Sequence, residues 1–490
     1  MKLLQSVLRT IKPNEAEIQV KVDRIVKKLN NELKRQKIRA RAVTGGSIAK
    51  GTFIKGDHDC DIFIKFDYFY KFTDISKVLE VILRRSFRQV NVLHGSRDYF
   101  ELPGELRFEI VPVLDIYDPN NAVNITDCSP LHVEWVKKHT ALLDEIRLAK
   151  AFCKANNVYG AESYIGGFSG HVMDILTIHH GGFLPLLKAS QKWKQGELVD
   201  PNKVYATKEQ ALSVLGDSKT NSPLIVIDPI QPLRNAAAAL GEEKLGLFKK
   251  TAREFLKKPS KEFFEKKPFS LDPVKARLKK NTLFVITADP VEGKHDVQGA
   301  KLMKLFEYLT TSLRDAGVEV LEAGWNWSTG QKAVFYITIP PLLLSPYVVR
   351  QGPPMNEREH VKMFKERHSD VFEKRGKLYA RDVRECRNPC DIIKQLLSQE
   401  QAREKANNIK LEIINPIPDE IVLKKSIVVP NKKKIQKAHV GKKGKTGKKA
   451  KKQKKHHATK SKKPSKKKQK ANRSKHHASR KRHKTKKKKR

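Results

Sequence analysis

Gly45-Gly46-Ser47-Ile48-Ala49-Lys50-Gly51-Thr52 is followed closely by Asp59-Cys60-Asp61, which heads the apolar run Ile62-Phe63-Ile64. Glycines and a serine let backbone N–H groups approach a phosphate chain closely. If the aspartates open a strand, their i, i+2 spacing sends both carboxylates to one face, where they can share a divalent cation. The same residues also fit a polar turn and an edge strand with solvated aspartates, and so short a glycine motif does not choose. A third carboxylate would help. Glu109 is the candidate, in Leu106-Arg107-Phe108-Glu109-Ile110-Val111-Pro112-Val113. Apolar residues on both sides suggest a strand buried on both faces, where a carboxylate is costly unless paired or metal-bound. Pro112 keeps an edge position open, and Asp115, beyond it, is a second candidate on the same face.

Outward from this stretch, residues 1–40 read as helical, with Ile18, Val20, Val22, Ile25, Val26, Leu29 and Leu33 as the apolar stripe. Residues 41–115 turn to short β-branched runs: 41–44, 61–66, 89–92, 98–102 and 106–113, with a helix over 75–87 and a turn at Pro103-Gly104. Residues 130–260 become mainly helical, over 133–156, 167–179 and 231–256. The run Arg234-Asn235-Ala236-Ala237-Ala238-Ala239-Leu240 is rich in helix formers. Beyond 270 a β-α-β-β order (283–287, 299–316, 318–321, 334–338) is compatible with a small ferredoxin-like sheet. The expected class is α+β multidomain: residues 1–135 a mixed head, 136–265 a helical central domain, 266–430 small α/β domains.

The chain has 490 residues and a formal net charge of +47. Residues 431–490 carry 31 Lys and Arg and no acid, leaving +16 on the remainder. That tail has almost nothing apolar to bury, repels itself, and reads as disordered. A basic body with a basic tail implies a polyanionic partner, and composition does not choose among RNA, DNA and anionic membrane. No apolar run approaches the length of a membrane span, and no signal-peptide h-region follows Met1. The five cysteines fit no zinc or disulfide spacing. A cytoplasmic protein with reduced thiols is expected.

The turn, the Asp-x-Asp pair and the later strand carboxylate together resemble the polymerase-β nucleotidyltransferase superfamily. More narrowly, the chain is similar to archaeal (class I) CCA-adding tRNA nucleotidyltransferases. The narrower likeness rests on Ser129-Pro130-Leu131-His132, Arg147-Leu148-Ala149-Lys150-Ala151-Phe152, Asn157-Val158-Tyr159-Gly160-Ala161-Glu162, Gly167-Phe168-Ser169-Gly170, Asp228-Pro229 with Arg234-Asn235, and Arg350-Gln351-Gly352-Pro353-Pro354. These occur in the family's order over roughly residues 1–425.

The resemblance implies a polymerase-β-like head and template-independent addition or repair of the tRNA 3′-terminal CCA from CTP and ATP. Asp59, Asp61 and Glu109 would be the catalytic carboxylates, holding Mg²⁺. Gly46, Ser47, Lys50, His132, Lys150 and Tyr159 would bind the nucleotide's triphosphate, and Arg234 would address the incoming base. Glu109 stands where the family more often has Asp, and Lys50 where many relatives have Arg. The α/β domains would bind the tRNA acceptor stem, with Arg350, Arg358, Arg367, His360 and His368 as candidate contacts. The tail would bind RNA or another polyanion, no membrane partner is expected, and a homodimer is among the partner expectations. Two alternatives share parts of this pattern: a poly(A) polymerase or oligoadenylate synthetase relative, and a silent RNA-binding protein that keeps the fold.

Overall fold

The computed structural model describes residues 2–417, apart from 58 and 105. The basic tail at 431–490, and the disorder expected of it, lie outside the described residues.

Two helices open the chain, α1 (Lys2–Ile11) and α2 (Glu15–Arg35). Asn14 caps α2 by accepting from the Glu17 N–H, and Val22, Leu29 and Leu33 form its buried face. The next segment holds β1 (Ala40–Thr44), α3 (Gly46–Lys50), β2 (Asp59–Phe66), α4 (Ile75–Ser86), β3 (Asn91–Leu93), β4 (Tyr99–Leu102) and β5 (Arg107–Leu114). Its strands make a mixed sheet in the order β1-β2-β5-β4-β3, with β2 and β5 parallel and the other pairs antiparallel. Strand alternation does the sorting. Ile62, Ile64 and Phe66 bury against Leu29 and Leu33 of α2 and Leu79 and Leu83 of α4, which leaves Asp59 and Asp61 on the other face. Because β5 lies between β2 and β4, the edge-strand reading of Glu109 is overturned. Asp115 sits at the opposite end, tied to Arg41 at 2.8 Å and Lys65 at 2.6 Å. Six residues of strand place it about 20 Å from Glu109.

A helical body follows: α5 (Ser129–Lys137), α6 (Leu143–Ala155), α7 (Gly170–His180) and α8 (Phe183–Ser190). Then come β6 (Glu197–Val199), α9 (Lys208–Leu215), α10 (Asp217–Thr220), β7 (Leu224–Val226) and α11 (Glu242–Lys257). Phe152 centres its core, with the rings of Phe183, Phe248, Phe255, Phe263 and Phe264 at 5.5 to 6.2 Å. Val7 and Ile11 of α1 join this core rather than the sheet's.

Two expected helices are corrected here. The one over 133–156 breaks into α5 and α6. Asp144 and Glu145 start α6, an arrangement that favours a new helix N-terminus. The one over 231–256 begins only at Glu242. Asn235 prevents an earlier start: its Oδ1 accepts from the Val226 and Ala237 N–H groups, and its Nδ2 donates to the Lys219 carbonyl and to Ser222. Four hydrogen bonds to one buried side chain outweigh the propensity of four alanines.

The third part contains α12 (Asp272–Arg277), β8 (Thr282–Pro290), α13 (His295–Asp315), β9 (Glu322–Asn326), β10 (Ala333–Ile339), β11 (Tyr347–Pro354) and α14 (Arg358–Arg367). It ends with β12 (Val371–Lys374), β13 (Lys377–Val383), α15 (Pro389–Ser398), α16 (Glu400–Arg403) and β14 (Ala406–Ile414). One antiparallel sheet runs β14-β8-β10-β9, and a second, β11-β13-β12, is inserted between β10 and α15. Leu302, Leu305, Leu309 and Leu313 of α13 cover the first sheet. The strand expected at 318–321 lies one step later, at β9. Val318 is instead drawn into the core beneath the end of α13.

Candidate active site

Strand register assembles the carboxylates. Parallel pairing puts Asp61 opposite Glu109 and Asp59 opposite Arg107, and antiparallel pairing puts Glu101 opposite Glu109. Asp59, Asp61, Glu101 and Glu109 therefore share one face of the sheet. Burial first, and then the charges of Asp61, Asp59 and Glu101, push the Glu109 acid up to about 7. Burial also raises Asp61, with Lys50 opposing. Asp59 is exposed and pairs with Arg107 at 2.7 Å. Apart from that arginine, the cluster is a set of like charges close enough to perturb one another.

The glycine turn leans on this cluster. The Gly45 N–H donates to the Asp61 carbonyl at 2.8 Å. A β-carbon at position 46 would fall 1.6 Å from Asp61 Oδ2, and Gly46 has φ +52°. Only glycine satisfies both conditions. Ser47 lies in the first turn of α3, half-buried beside it.

Lys50, at the end of α3, reaches across to α7 and donates to Asp174 Oδ2 at 2.8 Å. Lys150 of α6 meets Asp174 Oδ1 at 2.7 Å and donates to Thr52 at 2.9 Å. Burial pushes the Asp174 acid up, but Lys150 and Lys50 outweigh it and hold the group at about 2. Two lysines thus share one buried anion; burial pushes the Lys150 ammonium down from its ordinary value, with Asp174 opposing. Tyr159 completes this corner, its hydroxyl 2.6 Å from where a β-carbon on Gly170 would stand, at the start of α7. Lys154 lies over its ring at 4.8 Å and pairs with Asp57. Burial raises the Tyr159 phenol far above its ordinary value.

The third cluster centres on Asp228. Its Oδ1 accepts from His132 Nε2 at 2.9 Å and from the Ile230 and Gln231 N–H groups, and its Oδ2 accepts from Arg234 Nη1 at 2.8 Å. His171 Nε2 stands 3.4 Å from Oδ2, and its ring lies 4.1 Å from that of His132. Burial raises the Asp228 acid, but His132 and His171 overcome this and hold it far below the usual carboxylate range. Burial also holds His171 down at about 4, so it is neutral at physiological pH. His132, His171 and Asp228 bring ligand-type atoms within 4.8 Å of one another. With Asp228 already accepting from four donors, however, the group is an ion-pair hub rather than an open cation site.

All ten residues singled out from the sequence thus fall into three adjoining clusters, linked because Lys50 acts on Asp61, Asp174 and His171 alike. Sequence reading did not assign roles to Glu101, His171, Asp174 or Asp228. Asp174 left a signal, a lone carboxylate among Val172, Met173, Ile175 and Leu176. In the third part, Arg350 and His368 are tied to Asp382 at 2.8 and 2.7 Å, whereas Arg358, His360 and Arg367 are exposed on α14. Among the described residues no helix is long and apolar enough to cross a membrane.

Residues 26–132 match the nucleotidyltransferase domain family, and residues 144–265 match the second domain of tRNA nucleotidyltransferases. The head is thus a polymerase-β-like nucleotidyltransferase fold. Among relatives, the CCA-adding enzyme of Nanoarchaeum equitans is 39% identical over 56% of this chain and 68% of its own length. The CCA-adding enzyme of Pyrococcus abyssi is 34% identical over 65% of this chain and 73% of its own length. That of Methanothermobacter thermautotrophicus is 28% identical over 83% of this chain and 91% of its own. A glycine turn set against paired aspartates, continued by a helical second domain and matched at this level, places the chain in the archaeal (class I) CCA-adding tRNA nucleotidyltransferase family.

Proposed function

We propose that this chain builds or repairs the 3′ end of tRNA, adding C, C and A from CTP and ATP without a nucleic-acid template and releasing pyrophosphate. The observation that carries the reading is the one-sided carboxylate set of Asp59, Asp61 and Glu109 beside the Lys50–Lys150–Asp174 and Arg234–Asp228 clusters, in a member of the CCA-adding family. Family membership implies divalent metal use, and Mg²⁺ is the cation we assign. The carboxylates suit it: Glu109 is raised to about 7 by burial and neighbouring anions, a penalty that a hard cation on oxygen ligands removes. When bound, the metal supplies Lewis-acid activation of the tRNA 3′-hydroxyl and neutralises charge developing on the triphosphate.

The remaining roles belong to the chain's own groups. Gly46 and Ser47 offer backbone N–H groups to the triphosphate, with Lys50 and Lys150 as its side-chain donors. His132 and Tyr159 line the same pocket. Arg234 has donors only, so it addresses acceptors on the incoming base and cannot pair as a template would. Selection then depends on how the growing 3′ end fills the pocket.

We assign residues 1–135 to the catalytic domain, 136–265 to nucleotide and substrate binding, and 266–430 to tRNA binding. The order β14-β8-β10-β9, with helices after β8 and before β14, supports a ferredoxin-like reading of the last region. The exposed Arg358, His360 and Arg367 support RNA contact there. An A-form acceptor stem is gripped by shape and phosphate rather than by sequence. The tail at 431–490 adds affinity for RNA or another polyanion, and the reading extends to a cytoplasmic homodimer, the latter checked by sedimentation. The deciding assay offers tRNA lacking its 3′ end CTP alone, ATP alone, or both. Two C residues from CTP alone and full CCA from both are expected. Refusal of CTP with long A tails would sink the proposal.

A further inference from the structure

Asp228 joins two residues that come from different parts of the molecule. His132 lies on α5, after the head's sheet, and Arg234 lies in the loop that Asn235 keeps from becoming helix. Both send a nitrogen to the same buried carboxylate, one oxygen each, at 2.9 and 2.8 Å. The carboxylate is itself fixed, because Oδ1 also accepts from the Ile230 and Gln231 N–H groups. Its geometry therefore passes to both partners.

Arg234 needs such an anchor. Its side chain is 38% exposed, and a guanidinium on a flexible stem loses its direction when nothing holds it. One Nη1 bond to Asp228 leaves its other donors free to face a ligand. His171 closes the other side of the carboxylate. Its Nε2 stands 3.4 Å from Asp228 Oδ2. Burial holds the His171 imidazolium down, so the charged partner of Asp228 is Arg234.

We propose that Asp228 is the positioning residue that links base selection to triphosphate placement, holding the Arg234 guanidinium and the His132 imidazole as one unit. The inference rests on the roles given above to Arg234 and His132. It adds that disturbing either one changes what the other does, although only Arg234 faces the base.

The test uses the full chain and tRNA ending in CC, where ATP is the correct nucleotide and CTP the wrong one. Selection is read as the ratio of kcat/KM for ATP to that for CTP, with kcat and KM resolved separately. Asp228→Asn is expected to lower the ratio about tenfold, the scale of one charge-assisted hydrogen bond, mainly through KM. Asp228→Glu should recover part of it. His132→Ala leaves Asp228 in place and should lower the same ratio, which a triphosphate contact with no link to the base would not do. In an Arg234→Ala background, Asp228→Asn should cost no further selection. If Arg234→Ala collapses the ratio while Asp228→Asn and His132→Ala leave it within about twofold, the coupling is wrong. If Arg234→Ala leaves the ratio intact, the base-facing role of Arg234 falls and takes this inference with it. Should Asp228→Asn fail to fold, the His132→Ala ratio decides.

Discussion

Asp61 and Glu109 stand directly opposite one another on two adjacent parallel strands of the head's sheet. Their carboxylates point to the same face, and burial together with the Asp61 charge raises the Glu109 acid. Asp61→Asn should lower nucleotidyl transfer by roughly a thousandfold or more, the scale seen when one electrostatic partner of a transition state is removed. Binding of tRNA, read by filter retention, should change little. Transfer near the parent level in this variant would remove the metal-based reading.

Gly46 packs against the Asp61 carboxylate. Gly46→Ala drives a β-carbon into Asp61 Oδ2 at a backbone φ of +52°. The expected cost is about 1–3 kcal/mol of stability from the strained backbone, together with a turnover loss approaching that of Asp61→Asn. Thermal melts and single-turnover rates measure the two effects separately.

Asp174 is the shared anion of Lys50 and Lys150. Asp174→Ala leaves two nearly buried ammonium groups facing one another, a loss of about 3–5 kcal/mol. The native contribution has a defined pH range. The folded acid sits at about 2 against 3.8 unfolded, so its stabilisation is complete above the higher value and is lost as pH falls through the lower. Urea unfolding at a series of acid pH values should show this loss in the parent and not in the variant.

His171 predicts a second, milder acid dependence. Burial lowers it from 6.5 to about 4, so between those values the unfolded chain binds the extra proton and stability falls as pH falls. Up to about 3 kcal/mol is at stake, and all of it is present above the higher value. His171→Phe should flatten the stability curve between these pH values. An unchanged slope would mean that the ring titrates in the folded protein as it does in the unfolded chain.

The tail makes a separate prediction. A chain ending at residue 430 should keep its turnover at saturating tRNA while losing affinity and much of its salt dependence, because 31 cations go with the removed segment. Lost turnover at saturation would give the tail a part in the chemistry.

Local sequence carried the head almost whole. Alternation across 59–66 sends Asp59 and Asp61 to one face, whereas Glu109, in a run apolar on both sides, joins them through the parallel register of β2 and β5. The turn at Gly45-Gly46 fitted a phosphate cradle or a plain polar turn equally well in the sequence, and only the close approach of Gly46 to Asp61 ties it to the acids. The helix propensity of residues 234–240 pointed the wrong way. Propensity counts local preferences, whereas Asn235 bonds to Lys219, Ser222 and Val226, which only the folded loop brings near.

The chain order of Asp59, Asp61, Lys50, His132, Lys150 and Arg234 thus established which chemical groups are available. Tertiary structure decided how they are balanced. Asp174 neutralises one of two lysines, and Asp228 binds His132 and Arg234 together, across separations of 124 and 96 residues for the Lys50–Asp174 and His132–Asp228 pairs. Charge balance at a buried site depends on distance in space and on exclusion of water, and a linear sequence specifies neither until its cores have packed.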